Sequence, residues 1–226
     1  MQMRNTGDDE AGRTAEFLRE TAAPAFRKAG VTVAGAFRTA IGPGSPSFLL
    51  VSEYADLAAF EAVSEKVWSD PAFMKAYVSY TAGAPRVYER EEISLLKSFD
   101  GMPAAAPPAP REGGGNHIFE LRRYESTNGV TLARKVKMFN EGESGIFRRL
   151  GMKPVFFGKT TVGANMPNLV YMLCFDSLAE RERLWGKFVS DPEWKKISSP
   201  PELHDSQVVT NISNWILDPL DFSGIR

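Results

Sequence analysis

Three side chains on one short stretch are of types that could do chemistry together: Glu120, Arg122 and Tyr124, in the run "IFELRRY" that starts at Ile118. The alternation of that run indicates a β-strand, on which every second residue shares a face. Glu120, Arg122 and Tyr124 then lie on one face, with Phe119, Leu121 and Arg123 on the other. A carboxylate, a guanidinium and a phenol side by side can orient a small polar or carboxylate-bearing ligand, or serve in proton transfer. They can equally close on one another as a buried hydrogen-bond network that fixes strand register. If Phe119 and Leu121 pack on helices, the polar trio points the other way, between two sheets.

The remaining reactive residue types are sparse. His117 sits at the start of the same strand and His204 in a polar, proline-flanked loop, so both read as solvated histidines rather than ligands. Asp205 follows His204, but no serine sits in a nucleophile-elbow context to complete a triad. Cys174 follows "LVYML" and reads as a small core residue. The triplet Gly113 to Gly115 lacks the Lys-Ser/Thr partner of a phosphate loop. "ERER", Glu180 to Arg183, alternates charge on a helix and reads as a solvated face. Met152, Phe156, Phe157, Met172 and Trp185 read as core, some of them able to line a pocket between sheets.

Composition narrows the function classes. The chain has 226 residues, 43% of them hydrophobic, with a net charge of −1. That is enough for one large or two small cores and carries no basic footprint for nucleic acid. No apolar run approaches the ~20 residues of a membrane span, and "MQMRNTGDDE" has no apolar stretch of the kind a secretory signal carries. A single cysteine excludes an intramolecular disulfide and Cys-rich metal sites, and two histidines make a multi-histidine centre a poor expectation. No cofactor and no metal is expected, and the provisional location is cytoplasmic.

The elements that must position the trio emerge from a repeat. Ser-Asp-Pro begins at Ser69 and again at Ser190, 121 residues later. Laying residues 16–75 on 137–196 at that offset gives 15 identities in 60 positions, where average composition gives roughly four. "FRKAG" from Phe26 falls on "FRRLG" from Phe147, and Thr39, Gly42 and Pro46 fall on Thr160, Gly163 and Pro167. The chain reads as an internal duplication: a first repeat over 1–102, an Ala/Pro/Gly linker over 103–115, and a second repeat over 116–226. The second repeat reads as a strand at 117–126, then a helix closed by Gly151. Two more strands follow at 152–163 and 169–175, then a helix capped by Asp176 and lined by Leu178, Leu184, Trp185 and Phe188, and a last strand over 207–220. This βαββαβ order is the ferredoxin-like split unit. Such a unit leaves one sheet face bare, and two copies can cover it by packing sheet to sheet. The expected class is therefore α+β, a pseudo-twofold dimeric α/β barrel made within one chain. At the same offset the counterparts of Ile118 to Leu121 fall before residue 1. Either "MQMRN" slips in register to form a short strand, or the natural start lies upstream.

"IFELRRY", "FRRLGMKPVFFG", "DSLAERERLW" from Asp176, "SDPEW" and "ILDPLDFS" from Ile216 together resemble the NIPSNAP family across the whole second repeat. The first repeat matches through "FRKAG", "YADLAAF" and "WSDPAF". The resemblance implies the dimeric α/β barrel and, for most members, no assigned activity. Animal relatives are linked to mitochondria and to vesicle or mitophagy roles that depend on targeting segments not found here. The first functional expectation is a protein that binds a small molecule or a protein partner, with homo-oligomers possible. The alternative is a cofactor-independent monooxygenase, isomerase or cyclase acting on an apolar molecule in the barrel. Haem chemistry would need a proximal ligand, and neither histidine is placed for one.

Overall fold

The computed structural model describes residues 1–5, 7–31, 33–83 and 85–226. The chain divides into two compact units. The first comprises Met1–Ala40, Gly44–Glu92 and Pro219–Arg226, the second Ile41–Pro43 and Ile93–Asp218.

The first unit runs β1 (Gln2–Asn5), α1 (Asp8–Phe17), a single wide π turn (Leu18–Ala22), α2 (Ala23–Ala29), β2 (Val33–Ile41), β3 (Ser47–Ser52), α3 (Leu57–Trp68), α4 (Pro71–Thr81) and β4 (Tyr88–Glu92). The residues at the very start therefore form a short strand. β1 pairs antiparallel with β3 and with β4, and β2 with β3, so the order is β4-β1-β3-β2. The helices cover one face and bury Phe17, Leu18, Phe48, Val63, Val67, Phe73 and Tyr80 in one cluster. The last eight residues belong here too. Leu220 N–H donates to Ala36 O at 2.9 Å, Ala36 N–H donates to Ser223 Oγ at 2.9 Å, and Ile225 is fully buried.

The second unit contains β5 (Leu95–Ser98), β6 (Ile118–Glu125), α5 (Gly129–Met138), a π turn (Phe139–Glu143), α6 (Ser144–Leu150), β7 (Lys153–Val162), β8 (Asn168–Phe175), α7 (Leu178–Ser190), α8 (Pro192–Ser198), α9 (Asp205–Val208) and β9 (Asn211–Pro219). Its strand order is β9-β6-β8-β7-β5, all antiparallel. Both units thus have the α+β, ferredoxin-like βαββαβ arrangement. Subtracting 121 from the bounds of α5, its π turn and α6 returns those of α1, its π turn and α2.

Local chemistry explains the breaks. Gly30 and Gly151 end their helices at φ 105° and 88°, a left-handed conformation that a side chain disfavours. α5 starts in a capping box, with the Asn128 side chain accepting from Val130 and Thr131 N–H and so satisfying two orphan donors. α8 starts on Asp191, whose carboxylate accepts from Glu193 and Trp194 N–H, with Pro192 first in the helix. At α7 the expectation is corrected. Ser177, not Asp176, is the cap and accepts from Glu180 N–H, while Glu180 reaches back to accept from Asp176 N–H. Leu178 is exposed rather than lining the core. The last strand begins at Asn211, because Gln207 and Val208 complete the short helix α9. Among the described residues no helix is long and apolar enough to cross a membrane.

Candidate functional site

β6 lies between β8 and β9, with Glu120 opposite Leu173, Arg122 opposite Tyr171 and Tyr124 opposite Leu169. Leu169, Tyr171 and Leu173 belong to the cluster buried under the helices of the second unit, so the face they share with the trio is the helix-covered one. The trio therefore points under α5 and α7. Its expected direction, away from the helices and between sheets, is overturned. The reason is the chemistry of α7: Arg181 and Trp185, one turn apart on its inner side, both donate to Glu120. Phe119, Leu121 and Arg123 take the opposite face, where Arg123 lies 5.3 Å from the centre of the Trp215 ring.

Glu120 has no exposed surface. Its Oε1 accepts from Arg122 at 3.0 Å and from Arg181, and its Oε2 accepts from Trp185 Nε1 at 2.7 Å. One carboxylate thus faces two guanidiniums. Arg122 lies 4.3 Å from the Trp185 ring centre and 5.4 Å from that of Tyr124, close enough for cation–π attraction. The Nε atoms of Arg122 and of Arg181 are buried without an acceptor. Burial opposes the Arg122 charge, but the oxygens of Tyr171, Tyr124 and Glu120 outweigh it and raise its pKa. Tyr171 donates to Tyr124 at 2.7 Å, and burial raises the pKa of both phenols.

Behind the tyrosines is a second charged group that sequence reasoning missed. Lys135, on α5, is 1% exposed, and its ammonium lies 3.1 Å from Glu143 in the π turn and 3.1 Å from Asp205 on α9. Asp205 accepts a hydrogen bond from the ammonium, and Glu143 faces it as a buried ion pair at the same distance. Lys135 also sits 4.9 Å from the Trp194 ring centre and 5.5 Å from that of Tyr124. Burial works against the Lys135 charge, and Glu143 with Asp205 overcomes it, holding the pKa above the usual lysine value.

Arg181 was hidden because "ERER" reads as a solvated run. The available signal is its position four residues before Trp185, a residue read as core, which puts both on one helix face. His117 is also corrected. It is 2% exposed rather than solvated, with Nδ1 2.9 Å from Asp176 and Nε2 3.0 Å from Ala109 O. The segment after Met102 docks there through that contact and through Ala106 N–H donating to Val155 O, which shields the ring. His204 is exposed and reaches Ser199 O at 3.1 Å. Cys174 is fully buried, and burial pushes its thiol up to about 12.

The first unit is built without this charged layer. Moving Arg122, Tyr124, Lys135, Glu143, Tyr171, Arg181 and Trp185 back by 121 positions gives Met1, Met3, Thr14, Ala22, Leu50, Phe60 and Ser64. All are neutral as side chains. The polar interior there includes a small neutral network, in which Asn5 Nδ2 donates to Thr14 Oγ1 and to Val87 O, and Thr14 meets the Tyr80 hydroxyl at 2.8 Å.

The family profile described as NIPSNAP matches residues 9–99 and 119–224. No curated protein sequence matches the chain. Among solved structures, a NIPSNAP family protein from Agrobacterium tumefaciens is 25% identical over 54% of this chain and 100% of its own, with a TM-score of 0.45. An anthrone oxidase-like protein is 9% identical over 97% of this chain and 89% of its own, with a TM-score of 0.61. A candidate monooxygenase from Fusobacterium nucleatum is 11% identical over 97% of this chain and 90% of its own, with a TM-score of 0.55. These last two likenesses are likenesses of fold.

Proposed function

The chain belongs to the NIPSNAP family, and from that premise we propose that its second repeat binds a small molecule bearing a carboxylate or similar anionic group, held by Arg122 and Arg181. The observation that carries this reading is the contrast between the repeats. Buried ions cost more than well-packed neutral residues and are seldom retained for stability alone. The first repeat folds to the same arrangement with methionine, threonine, alanine, leucine, phenylalanine and serine in those places. The fold does not require the charges, so their retention in the second repeat points to use. Glu120 neutralises one of two guanidiniums, and the Arg122 and Arg181 side chains keep 12% and 23% of their surface. A planar, partly exposed cation pair with one positive charge in excess suits a carboxylate. We read the two repeats as products of an internal duplication, of which only the second kept or gained this charged cluster.

The test is native mass spectrometry and a thermal-shift screen against a panel of small carboxylates. Arg122→Leu leaves Glu120 with Arg181 and Trp185 and is expected to fold and lose the ligand. A folded Arg122→Leu protein that retains the same ligand with the same affinity would sink the reading.

A second reading, cofactor-independent oxygenation of an apolar substrate, is favoured by the fold likeness over 97% of the chain to the anthrone oxidase-like protein. Its chemistry would remove a proton from the substrate and let dioxygen attack the resulting anion, which the excess positive charge would stabilise. It stands second because Glu120, the carboxylate nearest the arginines, is fully engaged and cannot serve as the base. Oxygen uptake with anthrone, giving anthraquinone and water, would reverse that order.

A further inference from the structure

The first unit holds a groove of about 420 Å³ between α2 and the junction of α3 with α4, with Ala25, Lys28, Ala29, Lys66, Val67 and Asp70 among its lining. That volume is in the range of small-molecule sites, roughly 300–1,000 Å³. The second repeat shows how it arose. At the 121-residue offset Ala25, Ala29 and Val67 correspond to Ile146, Leu150 and Phe188. There Ile146 and Phe188 are buried and Leu150 packs against the core. The first unit thus carries about ten fewer side-chain carbons at this place, in a molecule whose interiors are otherwise close-packed. α2 keeps the bounds of its counterpart α6, and α3 starts where its counterpart α7 does and ends one residue earlier.

The charge at the rim changes in the same direction. In the second unit Arg149 is gripped by two carboxylates, Asp191 and Glu193, each at 3.0 Å. In the first unit Glu193 is replaced by Ala72, and Lys28 meets Asp70 alone, at 2.9 Å. Asp70 also caps α4, accepting from Ala72 and Phe73 N–H through its other oxygen. Lys66 has no ion-pair partner among the described residues. The lining therefore has an apolar floor and a net positive rim.

We propose that this groove binds a small organic anion with a compact apolar body, an aromatic carboxylate being the simplest fit. The body lies on Ala25, Ala29 and Val67, and the anionic end sits between Lys28 and Lys66. This site is separate from the arginine pair of the second repeat and does not depend on it. No single helix terminus carries the argument, since the α4 end is already occupied by Asp70.

The test uses the whole protein and 1-naphthoate as probe, titrated by calorimetry at two salt concentrations. Saturable binding is expected, weaker at high salt because the lysines are exposed. Each titration is also run in the Arg122→Leu background, which removes carboxylate binding at the second repeat, and the saturable binding that persists there is the one this groove supplies. The paired change Ala25→Ile with Ala29→Leu installs the side chains that the second repeat accommodates, and should weaken binding at least tenfold. If that variant does not fold, Lys66→Glu on the exposed rim reads the same question and should weaken binding several-fold. The proposal is overturned if the wild-type protein shows no saturable binding at millimolar probe. It is also overturned if a folded filled variant, or Lys66→Glu, binds 1-naphthoate as tightly as the wild type.

Discussion

At the scale of single residues, the second unit is organised around charges that cannot be removed one at a time. Lys135 and Glu143 are each about 1% exposed, so each is the other's main compensation for lost hydration. Lys135→Thr is expected to cost about 3–5 kcal/mol, because it leaves a buried carboxylate without its partner. The double change Lys135→Thr with Glu143→Ala copies the first repeat and should cost less than either single change. Urea unfolding of the four proteins in a double-mutant cycle checks this. A double variant less stable than either single variant would count against it. Strand alternation alone placed Glu120 on one face with Arg122 and Tyr124. Its orientation was not legible, because "LVYMLCF" is apolar on both faces and gives no hint of which side the helices cover. The partner that settles the orientation, Arg181, lies 61 residues away in sequence, and no local pattern links it to Glu120.

At the scale of elements, most strands and helices followed from alternation, helical spacing and end signals. Gly151, Asn128 and the Asp191-Pro192 pair all act where their chemistry puts them. Asp176 and Ser177 are both good caps, and the choice between them was decided by tertiary contacts. Asp176 is drawn to Lys153 at 2.8 Å and to His117, which leaves the capping role to Ser177. Ser177→Ala is therefore expected to cost about 1 kcal/mol, read as a drop in the urea midpoint with an unchanged slope. Asp176→Ala should instead act through Lys153 and His117 and leave the amide protection of the first turn of α7 in place. The π turns have no sequence signature in either repeat. In each repeat one wide turn joins two helical stretches without a break.

At the scale of the whole molecule, the dependence of stability on pH is set by exposed and half-buried pairs. The hydrogen bond from Lys153 is the main cause that holds the Asp176 carboxyl below its ordinary value of 3.8. The folded form then binds that proton more weakly than the unfolded chain. Its contribution is complete above about pH 4 and is lost as pH falls through the depressed value. Burial opposes the Lys153 charge, but Asp176 outweighs it and raises the pKa above 10.5. That contribution is present below pH 10.5 and is lost as pH rises past the folded value. Lys153→Met should lower the melting temperature at mid-range pH and leave it little changed at the acid and alkaline extremes, where the contribution is already lost. A profile identical to that of the wild type would show that the pair contributes nothing.

The assignment of Pro219–Arg226 to the first unit has a consequence for how the chain is made. A ribosome delivers the first repeat early, yet the residues that give Ala36 its partners and bury Ile225 leave the exit tunnel only after the second repeat. The usual order of assembly, N-terminal part first, cannot run to completion here. The first repeat must wait, its β2 edge unsealed, through the synthesis of the entire second repeat.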